Sequence, residues 1–380
     1  MKKTNANKQV CSRCVMDSTV PGIHFDEYGV CTFCHIHDEL EKKYPLGMEG
    51  KQRFEEIIDK VKRKGIGKKY DCVVGVSGGR DSTFTLYTAI KHGLRPLAVH
   101  FDNGWNAEIG DINMKAITDK FHVDLITYTA DPEEFKDIQL AFLKASVSDA
   151  ESPTDFMIHS VLYDAAIKHG VSYIFNGHSF RTEGVAPIGW SYMDGRYIKS
   201  IQKQFGKLKT TKIPIMTLTT LVWNTFVRRI KVIDVPEFVE YKHEDVDEVL
   251  RNEVGWEYYG AHHHESIYTI FVMDYYLPKK FNIDKRKVEY SALIRSGQIT
   301  RDQALNMLSE PITCESDIIE DTKKRLGLSD KDFEDLMNAP LKTFRDYKTY
   351  YPLIKLCKYP IKFVCALGLL PQVFYEKFLG

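Results

Sequence analysis

The chain has 380 residues, 43% of them hydrophobic, enough for two or three packed units around a large apolar core. Lysine plus arginine and aspartate plus glutamate both total 52, so no global field points toward nucleic acid. The sequence shows neither a signal peptide nor the roughly 18 uninterrupted apolar residues of a spanning helix, and a cytoplasmic location is expected.

Residues 1–45 are rich in cysteine and turn formers. Cys11-Ser-Arg-Cys14 and Cys31-Thr-Phe-Cys34 are two CxxC pairs sixteen residues apart. That pattern matches tetrahedral zinc held by four cysteines, and four thiolates close the coordination sphere, so the expected Zn2+ is structural. It would staple a segment too short for its own core. A disulfide framework is the competing reading, disfavoured by the cytosolic context. His35 and His37 are alternative ligands.

Residues 51–64 carry an amphipathic helical pattern. From Tyr70 onward β-rich runs at Asp71–Val76, Arg95–Phe101, Val123–Thr129 and Val171–Asn176 alternate with helical patterns near 82–92, 108–121 and 132–169. This rhythm predicts a parallel sheet with helices on both faces, with Ile230–Val235 as a fifth strand. Beyond Lys242 the pattern is helical and charged. The expected organisation is a zinc module (1–45), an α/β domain (46–242) and a C-terminal helical, substrate-binding domain (243–380).

The strongest signal is Ser77-Gly78-Gly79-Arg80-Asp81-Ser82, set between a continuous apolar strand and a helix. Two glycines permit tight turns, two serines supply hydroxyls, and the helix N-terminus favours a phosphate. It is not a Walker A loop, because the lysine and its spacing are missing. An ordinary strand–helix turn is the bland alternative. The string resembles the PP-loop of ATP-pyrophosphatases (the adenine nucleotide alpha-hydrolase-like fold), which cleave ATP between the α- and β-phosphates. The resemblance implies that Ser77, Gly78, Gly79, Asp81 and Ser82 hold pyrophosphate with Mg2+, Arg80 adding a cation. His100 and Asp102 end the second strand, and Gly177-His178 ends the fourth. Both stand at the carboxyl edge where open α/β sheets bind ligands, although Asp-Asn-Gly and Asn-Gly are also common turns.

Among PP-loop enzymes, tRNA thiolases also carry zinc ribbons, but no cysteine lies between Cys72 and Cys314 to serve sulfur transfer. Longer strings resemble the N-acetyl sugar amidotransferases of bacterial surface-glycan biosynthesis. They are CSRCVMDSTVPGIHFDEYGVCTFC, LAVHFDNGWN, QLAFLKASV…SPTDF, RTEG, GWEYYGAHHHES and YLPKKFNIDKRKVEYSALIRSGQITRDQAL. The resemblance implies that ATP adenylates an acetamido oxygen of an acidic sugar, nucleotide-linked or free, and ammonia then replaces AMP to give an acetamidino group. Asp155 and Glu183 are the candidates for orientation or base duty, with helix-cap or turn roles as the alternative. His262, His263, His264, Lys279, Lys280 and Arg286 would border the sugar, with Lys285 beside them; a solvated basic face is the alternative. No glutaminase nucleophile is recognisable, so the resemblance implies a separate glutaminase and a synthase-like barrel subunit that channels ammonia. A tRNA-modifying PP-loop enzyme and a non-catalytic nucleotide-binding scaffold are the rival functions. The tail from Arg345 is apolar and basic, broken by Pro352, Pro360 and Pro371. It is expected to pack as a helix pair on the helical domain, with peripheral membrane contact or partner docking as the alternative.

Overall fold

A computed structural model describes residues 8–260, 265–370 and 375–376. The zinc-type module ends in α1 (Thr32–Lys43), and α2 (Gly47–Gly65) leads into the sheet. The α/β unit then runs β1 (Cys72–Gly75), α3 (Arg80–Lys91), β2 (Pro96–Asp102), α4 (Glu108–Phe121), β3 (Leu125–Thr129), α5 (Pro132–Ala145), α6 (Ser152–Lys168), β4 (Tyr173–Asn176), α7 (Gly195–Phe205), a short α8 (Leu218–Val222) and β5 (Lys231–Asp234). After it come α9 (His243–Val254), the one-turn α10 (Ile267–Ile270) continued as a π-helix to Phe281, α11 (Arg286–Arg295), α12 (Arg301–Ser309), α13 (Ser316–Leu326), α14 (Asp330–Asn338), α15 (Tyr351–Leu356) and α16 (Lys358–Ala366).

All five strands are parallel, in the order β3-β2-β1-β4-β5. Side chains alternate across a strand, and the core follows that alternation. Cys72 and Val74 of β1 face a cluster with Phe54, Leu86, Met114 and Leu250, from α2, α3, α4 and α9. Val73 faces the other way, into a cluster with Phe135, Leu162 and Ile198 that also contains the four module cysteines and residues of the C-terminal helices. The first and last segments therefore share one core with the sheet.

The helical pattern expected over 132–169 is two helices. Ser146 adopts φ +57° and ends α5. The break falls at the polar stretch SVSDAESP (146–153), whose serines, aspartate and proline are a local turn signal. Tertiary hydrogen bonds hold it. Lys342 N–H donates to Ser146 O at 2.9 Å, Tyr347 Oη to Ala145 O at 2.7 Å, and Tyr276 Oη to Val147 O at 3.2 Å.

Two buried devices lock the N-terminal module in place. Arg181 reaches both Glu41 oxygens, at 2.8 and 2.9 Å, and the buried Glu237 carboxylate at 3.2 Å. Asp17 takes Lys8 and Lys287, each at 2.8 Å. Arg181→Ala removes the charge that faces two carboxylates, one of them nearly inaccessible. Urea unfolding is expected to show a loss of about 3–5 kcal/mol; a loss near zero would mean the cluster is not coupled to folding.

Candidate active site

In the order β3-β2-β1-β4-β5 the connections depart to opposite sides of the β1–β4 pair, and a crevice opens beyond their carboxyl ends. The Ser77–Ser82 loop follows β1, and Gly177-His178 follows β4. The two motifs stand on the two sides of that crevice.

Close backbone approach shapes the loop. Gly78 has φ +79°, and a Cβ there would lie 2.0 Å from Gly110 O. Its carbonyl accepts from Trp256 Nε1 at 3.0 Å and Asn113 Nδ2 at 3.2 Å. Ser77 N–H donates to Ser82 Oγ at 3.1 Å, and Gly79 N–H to Ser77 Oγ at 3.3 Å. Gly79 caps α3 without a side-chain bond. The helix N-terminus and both serine hydroxyls thus converge on one place, the geometry of an anion cradle. A Cβ on Gly177 would come within 2.8 Å of the Asp81 carbonyl carbon, so only glycine lets β4 close against the loop.

Asp81 accepts a hydrogen bond from Tyr241. Arg80 does not extend into the crevice as a free cation. Its Nη2 donates to Asp247 Oδ2 on α9 at 3.0 Å, which ties α3 to α9. His178 Nδ1 lies 2.6 Å from Glu183 Oε2. Burial works against charge on His178, but Glu183, with Asp234 and Glu237 behind it, raises the imidazole to about 9. The pair is an imidazolium–carboxylate at neutral pH. Burial also pushes Asp234 up, although Asn176 Nδ2 donates to it at 2.8 Å.

His100 is buried and fully engaged. Nδ1 faces Val76 O at 2.9 Å, and Nε2 lies 2.8 Å from Asn106 Nδ2. This makes it the brace between β1 and the loop after β2. Asp102 accepts from Gly104 N–H at 2.8 Å, an Asx turn, and lines a cleft of about 550 Å³ with Asn106, Met114 and Thr127.

Asp155 lies in the first turn of α6, exposed. With Glu151 and Asp149 it faces Lys285; burial pushes the Lys285 ammonium down, against the pull of these three carboxylates. Burial raises Asp149 to about 7. The other cations are spent elsewhere. Arg286 pairs with Asp284 at 2.9 Å and donates to Glu310 O at 3.1 Å, Lys280 donates to Leu336 O, and Lys279 is solvated. His262, His263 and His264 lie outside the described residues.

Tyr259 and Glu265 lie in the Tyr259–Ser266 stretch that the resemblance sets beside the sugar, but their contacts are with the Ser77–Ser82 loop. Tyr259 Oη accepts from Arg80 N–H at 3.2 Å, and Ser77 Oγ lies 3.4 Å from Glu265 Oε1. Glu265 is held there by an antiparallel bridge. Ala107 N–H donates to Glu265 O at 2.8 Å and Ile267 N–H to Trp105 O at 2.9 Å. Both residues belong to the GWEYYGAHHHES string, and the structure sets its flanks on the Ser77–Ser82 loop.

Cys11, Cys14, Cys31 and Cys34 are buried, with their sulfurs all within 4.8 Å of one another. The closest pairs are 3.7–3.9 Å apart. A tetrahedron with metal–sulfur bonds of about 2.3 Å has edges of about 3.8 Å. The donor set and its size therefore fit a tetrahedral metal. Cys11 Sγ also accepts from Arg13 and Cys31 N–H at 3.4 and 3.3 Å. His35 pairs with Asp26, and His37 packs on Phe180, so neither is needed as a ligand.

These features define a PP-loop α/β protein with an N-terminal four-cysteine module and C-terminal helices. Residues 265–360 match the family described as LPS biosynthesis protein WbpG-like, C-terminal domain. The chain is 30% identical over 171 residues to the uncharacterized protein MJ1599 of Methanocaldococcus jannaschii, a match over 44% of this chain and 58% of that one. It thus spans less than two thirds of this relative's length. Among solved structures, an NMN synthetase from Francisella tularensis aligns at 13% identity over 77% of this chain and 98% of its own, with a TM-score of 0.30. An NH3-dependent NAD synthetase from Campylobacter jejuni aligns at 14% identity over 78% and 99%, with a TM-score of 0.29. Superpositions this loose add nothing to what the strand order and loop already establish.

The His178–Glu183 pair generates a titration test. In NMR the His178 ring is expected to titrate near 9 and to fall toward an ordinary imidazole value in Glu183→Gln. Because the folded value is raised, the pair's stabilisation is complete below about 6.5. It is lost as pH rises through about 9. A wild-type value near 6.5 would contradict the pairing.

Proposed function

We propose that the chain is an ATP-dependent, AMP-forming amidotransferase that converts the acetamido group of an acidic surface-glycan sugar precursor into an acetamidino group. The observation that carries the reading is the anion cradle at Ser77–Ser82, facing the His178–Glu183 pair across one crevice in a chain whose residues 265–360 match the WbpG-like C-terminal domain family. The amide oxygen attacks the α-phosphorus of ATP, the Pα–O bond to pyrophosphate breaks, and an O-adenylated imidate forms. Ammonia adds to the imidate carbon, loses a proton, and the C–O bond breaks to release AMP carrying the former amide oxygen.

The cradle receives the leaving pyrophosphate, and Asp81 and Glu265 would hold the Mg2+ that accompanies it. Protonated His178 adds positive charge at the crevice. Its partner, the Glu183 carboxylate, is the group assigned to accept the proton lost from ammonia. The sugar is assigned to the side where the first turn of α6, carrying Asp155, meets Lys285. Ammonia comes from solution or from a separate glutaminase through a synthase-like barrel subunit. Cys72 is buried in β1 with its thiol pushed up by burial, and Cys314 is pushed up to about 11, so neither suits a glutaminase nucleophile or sulfur carrier. The four-cysteine module is assigned a structural Zn2+.

Purified protein with ATP, Mg2+, ammonium and an acidic acetamido sugar is expected to release AMP and pyrophosphate in a sugar-dependent manner. Asp81→Asn should lower kcat about 100-fold or more with circular dichroism unchanged; near-normal turnover would remove the phosphate assignment. Ammonium should support the reaction and glutamine alone should not. Metal analysis should return one zinc per chain, and Cys31→Ser should lose it together with thermal stability. Iron in the native protein, or full zinc in the variant, would contradict the module's assignment.

A further inference from the structure

The tail is a helix pair, as expected, but only one side of it packs. Cys365 is buried, and Tyr351 stands edge-on to Phe344 at 5.2 Å, with Ile354 and Ile361 beside the same core. The other side is left in solvent. Leu356 is 81% exposed, Tyr359 80%, Phe363 65% and Leu367 55%. Their spacing of three, four and four residues makes a single stripe along α15 and α16.

Along α15 and α16 themselves the charge has one sign, and Glu376 lies near Cys365, which is buried. From Tyr347 to Leu370 the chain has four lysines (Lys348, Lys355, Lys358 and Lys362) and no aspartate or glutamate, whereas the whole chain is neutral. We propose that α15 and α16 form a docking face for an anionic lipid surface, lying in the headgroup region with the Leu356–Leu367 stripe toward the acyl chains.

Three physical points favour lipid over protein. An isologous contact with a second copy would bring the lysine clusters toward each other. The buried centre of a protein interface is depleted in lysine. An anionic bilayer satisfies both halves of the surface, since headgroups take the lysines and tyrosine while the acyl boundary takes leucine and phenylalanine. Spanning is not involved: α15 and α16 have six and nine residues, and no described helix is long and apolar enough to cross.

The test is independent of the proposed reaction. Full-length protein is sedimented with phosphatidylcholine vesicles, with and without phosphatidylglycerol. Wild type should bind the anionic vesicles at least about tenfold more tightly than the neutral ones, and more weakly as salt rises. Leu356→Asp with Phe363→Asp should abolish binding, and Lys355→Glu with Lys362→Glu should remove the preference for anionic lipid. All four side chains are exposed, so melting temperature and AMP release in solution should not change. Absence of wild-type binding, or equal binding by the variants, would overturn the proposal. So would light scattering that shows a wild-type dimer made monomeric by the Asp variants without any vesicle binding.

Discussion

Two backbones cross at Gly78 and Gly110 with no room for a methyl group, and the rest of the site is arranged around that crossing. The left-handed turn at Gly78 aims the N-terminus of α3 at the crevice and brings both serines of the loop to one spot. Trp256 and Asn113 fix the Gly78 carbonyl from outside, so residues beyond β5 and on α4 hold the loop as firmly as the strand does. The same demand recurs at Gly177, where β4 meets the Asp81 backbone. A phosphate cradle made of backbone N–H groups depends on such clearance, because any side chain would push the strands apart.

The four-cysteine module acts at a distance from this crossing. Arg301 donates to the carbonyls of Cys14 and Cys11 at 3.1 and 3.0 Å, and Arg295 to Phe33 O at 2.6 Å. Asp17 meets Lys287 from the same C-terminal stretch. The module is thus tied to α11 and α12 of the C-terminal helices. Its ion pairs also set an acid limit. Despite burial, which works the other way, lysine partners hold Asp17 down at about 2, and Arg181 with His37 holds Glu41 at about 2. Their stabilisation is present above roughly pH 4 and is lost as pH falls toward 2.

Much of this was legible in the sequence. The five strands, their parallel arrangement, the CxxC pairs and the loop follow from short β-rich runs alternating with helical patterns, from spacing and from glycine placement, all local signals. The single helical pattern over 132–169 passes over the polar stretch SVSDAESP, which does carry a turn signal; long-range hydrogen bonds from Lys342, Tyr347 and Tyr276 then hold the break. Tyr259 and Glu265 reach the loop only through the bridge from Ser266 to Asn106, which no periodicity encodes. Arg80, Lys280 and Arg286 had the charge expected of ligand cations, but Asp247 on α9 takes up Arg80, Asp284 and the Glu310 carbonyl take up Arg286, and the Leu336 carbonyl takes Lys280. Charge is visible in a sequence, and what neutralises it is tertiary.

The central claim is that the amide oxygen of the sugar is activated by AMP on this loop. It is tested most directly by supplying an acidic acetamido sugar labelled with 18O in the acetamido carbonyl, together with ATP, Mg2+ and ammonium, and weighing the nucleotide released. The account predicts that the label appears in the phosphate of AMP, one oxygen per turnover, with unlabelled pyrophosphate. Unlabelled AMP, or ADP in its place, would contradict it.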